Sequence, residues 1–171
     1  MASNTARWVG NLYGAPEPLV MLGLFQAGST QAIKKGQKLK ISSSNFVPVT
    51  ADYNSSGDLA IANEEIKAGD LAGYYEIIVP RPGDIFEFDL DTAAATAVGA
   101  SLYHGASDPS QSWAASGSNV TGNAVGQEHY PQHQGHASDG DSMDRGTSIR
   151  TATRVRCTIE KASSYFSAFQ K

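Results

Sequence analysis

Three histidines, His129, His133 and His136, lie close together with Glu128, Asp139, Asp141 and Asp144 beside them. Imidazoles and carboxylates are the usual ligands of zinc and other divalent ions. The spacing does not set two histidines on one helix face with a glutamate between them, as a metalloprotease requires. Pro131, Gly135 and Gly140 argue against a helix, and the acids do not follow the calcium-loop spacing. The segment therefore reads as a polar loop. His129, His133 and His136 stay as its metal candidates, and no metal or cofactor is assigned. Serine, histidine and aspartate are plentiful, yet no Gly-x-Ser-x-Gly elbow organises a nucleophile. Cys157 sits in an alternating stretch with no histidine near it in sequence, which predicts a small core residue. No glycine-rich phosphate loop opens a helix. The carboxylate pairs Glu64-Glu65 and Glu87/Asp89 read as a solvated strand edge or an electrostatic contact rather than an acid–base pair. Arg150, Arg154 and Arg156 are suited to phosphate, but the formal net charge of −4 favours protein contact over nucleic acid. The expectation is a non-enzyme.

These residues must be carried by a chain of 171 residues with 40% hydrophobic and only 18% charged residues and 17 glycines. That is too little charge for a coiled coil or a disordered polyelectrolyte. One cysteine excludes an internal disulfide. The longest apolar run, Leu19 to Phe25, is far shorter than the roughly 20 residues of a membrane span and follows no basic stretch, so neither membrane nor signal peptide is expected. Charge is unevenly placed. Eight acids lie between Glu64 and Asp91 against Lys67 and Arg81, whereas Arg145 to Lys171 holds six basic residues and the single acid Glu160. The two regions are complementary, within one molecule or between copies.

Short strand-like runs recur at Leu19–Phe25, Lys38–Ser42, Asn45–Val49, Leu59–Ala62, Tyr74–Pro80, Ile85–Leu90 and Thr153–Ile159. In the last, Val155, Cys157 and Ile159 are expected to face a core and Arg154, Arg156 and Thr158 to face outward. Arg81-Pro82-Gly83-Asp84 is a turn, because proline fixes φ and glycine permits positive φ. Helix is expected only at Asp91–Gly99, an alanine-rich run with Asp91 or Thr92 as cap. A glycine-centred unit recurs at Ile33–Leu39 and Ile66–Leu71, with a third copy expected at Ala97–Leu102. Residues 1–18, with Pro16, Pro18, Gly10 and Gly14 around Trp8 and Tyr13, predict an extended N-terminal arm with two aromatic anchors. Residues 19–171 then form a single domain. Its polar excursion, about residues 104–147, is anchored by Trp113 and Tyr130. The predicted class is mainly β, a small antiparallel β-barrel or sandwich.

Gly36-Gln37-Lys38-Leu39, Val47-Pro48-Val49, Leu59-Ala60-Ile61-Ala62, Ile66-Lys67-Ala68-Gly69-Asp70, Val79-Pro80-Arg81-Pro82-Gly83-Asp84-Ile85-Phe86-Glu87 and Val98-Gly99-Ala100-Ser101-Leu102-Tyr103 together resemble the small β-barrel decoration (cement) proteins of tailed-bacteriophage capsids. The long polar excursion and the aromatic arm depart from the simplest members of that family. The resemblance implies a structural virion protein, made in the host cytoplasm and bound to the outer surface of the capsid. Its partners would be the major capsid protein and further copies of itself, most often as trimers, and it would carry no catalytic residues. Trp8, Tyr13, Trp113, Tyr130, Arg150, Arg154 and Arg156 are then the candidate capsid or intersubunit contacts. The alternatives are another virion β-barrel component (tail, fibre or baseplate) and a metal- or carbohydrate-binding β module.

Overall fold

The structure is a computed structural model and describes residues 6–25, 32–50, 59–70, 72–95, 101–105, 110–111, 113–114, 120–126 and 151–159. Its elements are all strands: β1 (Arg7–Asn11), β2 (Val20–Phe25), β3 (Lys38–Ser42), β4 (Asn45–Pro48), β5 (Ala60–Ala62), β6 (Gly73–Ile78), β7 (Asp84–Ala95), β8 (Ser101–His104), β9 (Trp113–Ala114), β10 (Val120–Gly126) and β11 (Thr151–Ile159). They form a six-stranded sheet in the order β1-β7-β11-β10-β8-β9 and a five-stranded sheet in the order β2-β6-β5-β3-β4. Every pairing is antiparallel except a parallel bridge, Leu90↔Trp113, that returns β9 to β7. The class is mainly β as expected. The sheets pack on each other in a sandwich-like way and do not close into a barrel.

Strand alternation decides what lies between the sheets. Phe86 and Phe88 of β7 stand opposite Cys157 and Val155 of β11. With Leu90, Leu102, Trp113 and Ile159 they form one wall of a buried cluster, and Val49, Leu59, Ile61 and Ile78 supply the other wall. The core role expected for Val155, Cys157 and Ile159 therefore holds. In the smaller sheet, Val20, Ile78, Ile61 and Lys38 are successive cross-strand partners, so they make one row on one face. The opposite face holds a second buried cluster that includes Phe25, Leu39, Phe46, Ala60, Ala62 and Ile77. That sheet curls until its two edge strands meet. A Cβ on Gly23 of β2 would lie 2.6 Å from the Phe46 ring of β4, so only glycine fits there.

The alanine-rich run does not form the expected helix. Residues Asp91–Ala95 continue β7, because Ala94 and Ala95 pair with Ala152 and Thr151 of β11. Alanine's helix preference is a few tenths of a kcal/mol per residue, which a growing strand ladder overrides. Residues 96–99 lie outside the described residues. The polar excursion is not structureless throughout, since β9 and β10 fall within it.

The glycine-centred unit is a real structural repeat. At Lys34–Gln37, Lys67–Asp70 and Arg81–Asp84 the fourth residue donates its N–H to the first residue's carbonyl, at 3.1, 3.0 and 3.0 Å. Its side chain accepts the first residue's N–H in return, at 2.9, 2.8 and 2.8 Å. The third residue is Gly36, Gly69 or Gly83, with φ of 84°, 89° and 81°, where a Cβ would be strained. Ile33 and Ile66, which precede two of these turns, are joined by an isolated antiparallel bridge. The third occurrence is thus Arg81–Asp84. The copy expected at Ala97–Leu102 falls largely outside the described residues.

Candidate functional site

Residues 7–11 of the segment read as an arm form β1, the edge strand beside β7. The contact closes on Asp84, whose side chain is fully buried. Trp8 Nε1 and Asn11 Nδ2 donate to Asp84 Oδ1 at 3.0 and 2.8 Å. Arg81 donates to Oδ2 from its backbone N–H at 2.8 Å and from Nε at 3.2 Å. Burial alone would raise the pKa of this carboxyl. The hydrogen bonds from Arg81, Asn11 and Trp8 and from the Arg81 N–H outweigh it and hold the pKa below the usual carboxylate value.

Immediately after β1 the chain makes a tip. Asn11 Oδ1 accepts the Tyr13 N–H at 2.7 Å, the Asn11 carbonyl accepts the Gly14 N–H at 3.1 Å, and Leu12 N–H donates to the Gly83 carbonyl at 2.8 Å. The backbone is therefore fixed, while the Leu12 and Tyr13 side chains are 57% and 80% exposed. An apolar pair held outward on a rigid tip has the chemistry of a protein contact.

Two further polar groups are buried. Glu87 of β7 is almost fully buried, with Arg7 Nη2 at 3.1 Å and Arg156 Nε at 3.5 Å from its carboxylate oxygens. The acidic middle and basic end of the sequence thus meet within one molecule at this point. Lys38 is completely buried. Its ammonium crosses between the sheets to lie 3.1 Å from His104 Nδ1 and 4.4 Å from the centroid of the Trp113 ring. Trp113 in turn packs against Phe88 with ring centroids 4.4 Å apart. Cys157 lies in the same core. Burial pushes its thiol pKa up, against an opposing pull from Lys38, and leaves it a poor nucleophile.

The structure does not gather the sequence-derived candidates on one surface. Trp8 is turned inward and packs against the inter-sheet cluster. Tyr13 points out. Trp113 is fully buried, so it anchors the polar excursion, as expected of it, and offers no surface to a partner. Arg156 is spent on Glu87. Arg154 is paired in register with Asp89. Tyr130, Arg150, His129, His133 and His136 lie outside the described residues. Among the described residues no group of three or more His, Cys, Asp or Glu is gathered for a metal. Sequence reasoning missed Leu12, the hub role of Asp84 and the buried Lys38. The Arg81–Asp84 turn was visible, but nothing local shows that its acid also receives Trp8 and Asn11 from more than 70 residues away.

No protein-family model matches the chain. The search of curated proteins likewise found no match. What the site can do must therefore be argued from the residues themselves. Among the described residues the strongest polar constellations are closed on themselves, and the groups offered to a partner are apolar.

Proposed function

We propose that this protein is a structural decoration protein of a tailed-phage head, binding the outer surface of the shell and tying neighbouring capsid subunits together. The observation that carries this reading is the Leu12–Tyr13 tip, two exposed apolar side chains on a backbone locked by Asn11 and Gly83. A rigid aromatic on a fixed turn loses little entropy on binding and makes an efficient anchor. The glycine-centred elements of residues 34–103 support the same reading through their resemblance to the decoration family. Binding to the assembled shell but not to its dissociated parts would stabilise the shell by mass action. The partners are the major capsid protein and further copies of this chain, with a trimer as the proposed assembly.

Point substitution tests this better than deletion of residues 1–18, which would remove β1 along with the tip. Leu12→Ser and Tyr13→Ser should leave the melting temperature almost unchanged and lower occupancy on undecorated heads in a pelleting assay. Each lost anchor should weaken binding by about tenfold or more. Full occupancy by the double variant would reject the tip as the contact, and labelled protein found only on tails in micrographs would reject the capsid reading.

A further inference from the structure

The Arg81–Asp84 turn grips the exposed tip at both ends. At the near end the Pro82 carbonyl accepts Asn11 Nδ2 at 3.3 Å, and the Gly83 carbonyl accepts the Leu12 N–H at 2.8 Å. At the far end Arg81 Nη2 donates to the Glu17 carbonyl. Between them the Tyr13 ring lies against Gly83 itself. A Cβ on Gly83 would stand 2.5 Å from Tyr13 Cδ2, 2.7 Å from Cε2 and 3.4 Å from Leu12 Cβ. The first two distances are far inside an ordinary carbon–carbon contact of about 3.5–4.0 Å. Gly69 holds the same place in the sister turn Lys67–Asp70, with φ of 89° against 81°. Nothing lies within 4 Å of the Cβ it lacks. Turn geometry alone calls for glycine at 69, whereas at 83 the Tyr13 ring calls for it as well.

We propose that Gly83 is a positioning residue for the tip: its bare Cα is the seat of the Tyr13 ring and sets the direction in which that ring meets a partner. This rests on the capsid reading of the tip and names what aims it. Tyr13 is 80% exposed, so the Gly83 backbone is a large part of what the ring rests on. A side chain at 83 would push the ring off its seat. The ring can swing into solvent, so the fold would lose little beyond the backbone strain at positive φ. The anchor would lose its preset orientation, and ordering it again on binding would cost affinity.

Gly83→Asn tests this, because asparagine is among the residues that accept a positive φ, and Gly69→Asn is the control for backbone strain. Both should lower the melting temperature by a similar few degrees. On undecorated heads Gly83→Asn should bind about fivefold or more weakly, and Gly69→Asn should bind like the wild type. In a Tyr13→Ser background Gly83→Asn should change binding by less than about twofold while keeping its effect on melting, an outcome that a merely structural role would not give. Should Gly83→Asn fail to fold, nuclear magnetic resonance of the wild type reads the seat directly. The Gly83 α-proton signals should be displaced by the Tyr13 ring and return to ordinary values in Tyr13→Ser. Wild-type binding by Gly83→Asn, equal weakening by Gly69→Asn, an undiminished effect in the Tyr13→Ser background, or undisplaced Gly83 signals would each overturn the proposal. Full binding by Tyr13→Ser would instead reject Tyr13 as a capsid contact, and loss by Tyr13→Ser with full binding by Gly83→Asn would reject only the role of Gly83.

Discussion

Asp84 shows how much one side chain can organise. Its two oxygens receive groups from β1 and from its own turn. Asp84→Asn keeps the shape but removes the charge and turns one acceptor into a donor facing Trp8 or Arg81. It should cost about 2 kcal/mol in a denaturant titration. Because the folded pKa is lowered, this contribution is fully present above the unfolded value near 4. It is lost as the pH falls through the folded value. The wild type should therefore lose stability on acidification below about pH 4, and the asparagine variant should show a shallower acid limb. Ser43 and Ser44, at the tip between β3 and β4, have φ of 49° and 70°. Both are left-handed, as a two-residue primed turn demands. Ser43→Asn with Ser44→Gly supplies residues suited to that geometry and should raise stability by about 1 kcal/mol on thermal melting.

At the scale of elements, the strands were legible wherever alternation and glycine punctuation were local. β3 was read to its residue bounds. β2, β4, β5 and β6 were read within two residues at each end, and the inward set of β11 was read correctly. β7 was read too short because it ends in three alanines, whose preference for helix is weak and whose partner, β11, lies far along the chain. β1, β8, β9 and β10 were missed for a related reason. They are short or interrupted by glycine and asparagine, so their strand character comes from the neighbours they pair with. The candidate site was legible only as single residues. Tyr13 was found, but its partner Leu12 was not, and the bond that fixes Leu12 runs to Gly83 in a turn far along the chain. Gly23 makes an element-scale prediction. Gly23→Ala drives a methyl into the Phe46 ring and should cost about 1–3 kcal/mol. Phe46→Leu, destabilising alone, should recover part of that loss when the two are combined, as a double-mutant cycle would read.

For the whole molecule, the two buried clusters are separated by the five-stranded sheet, which contributes side chains to both. Lys38 explains how a polar group survives there. Its stem lies among apolar neighbours, and its ammonium ends on an imidazole and an indole face. Charge that would otherwise be offered to solvent or to a partner is thus partly consumed inside, as it is at Glu87 and Arg156. This accounts for a chain with modest charge that still specifies one packing of its sheets. It also predicts that moderate salt will alter head binding through the proposed Leu12–Tyr13 contact only slightly, because that contact is apolar. Pelleting at low and high ionic strength would show nearly equal occupancy.

The position of β1 has a consequence for the order of events during synthesis. Trp8 and Asp84 are 76 residues apart, and Arg7 and Glu87 are 80 apart. β1 therefore waits until β7, its partner strand, has been made. Pairings of such long range fold on the slow side, in milliseconds to seconds. During that wait Trp8, Leu12 and Tyr13 are all exposed together on a nascent chain, and the same residues that later divide into anchor and tip are then open to premature association.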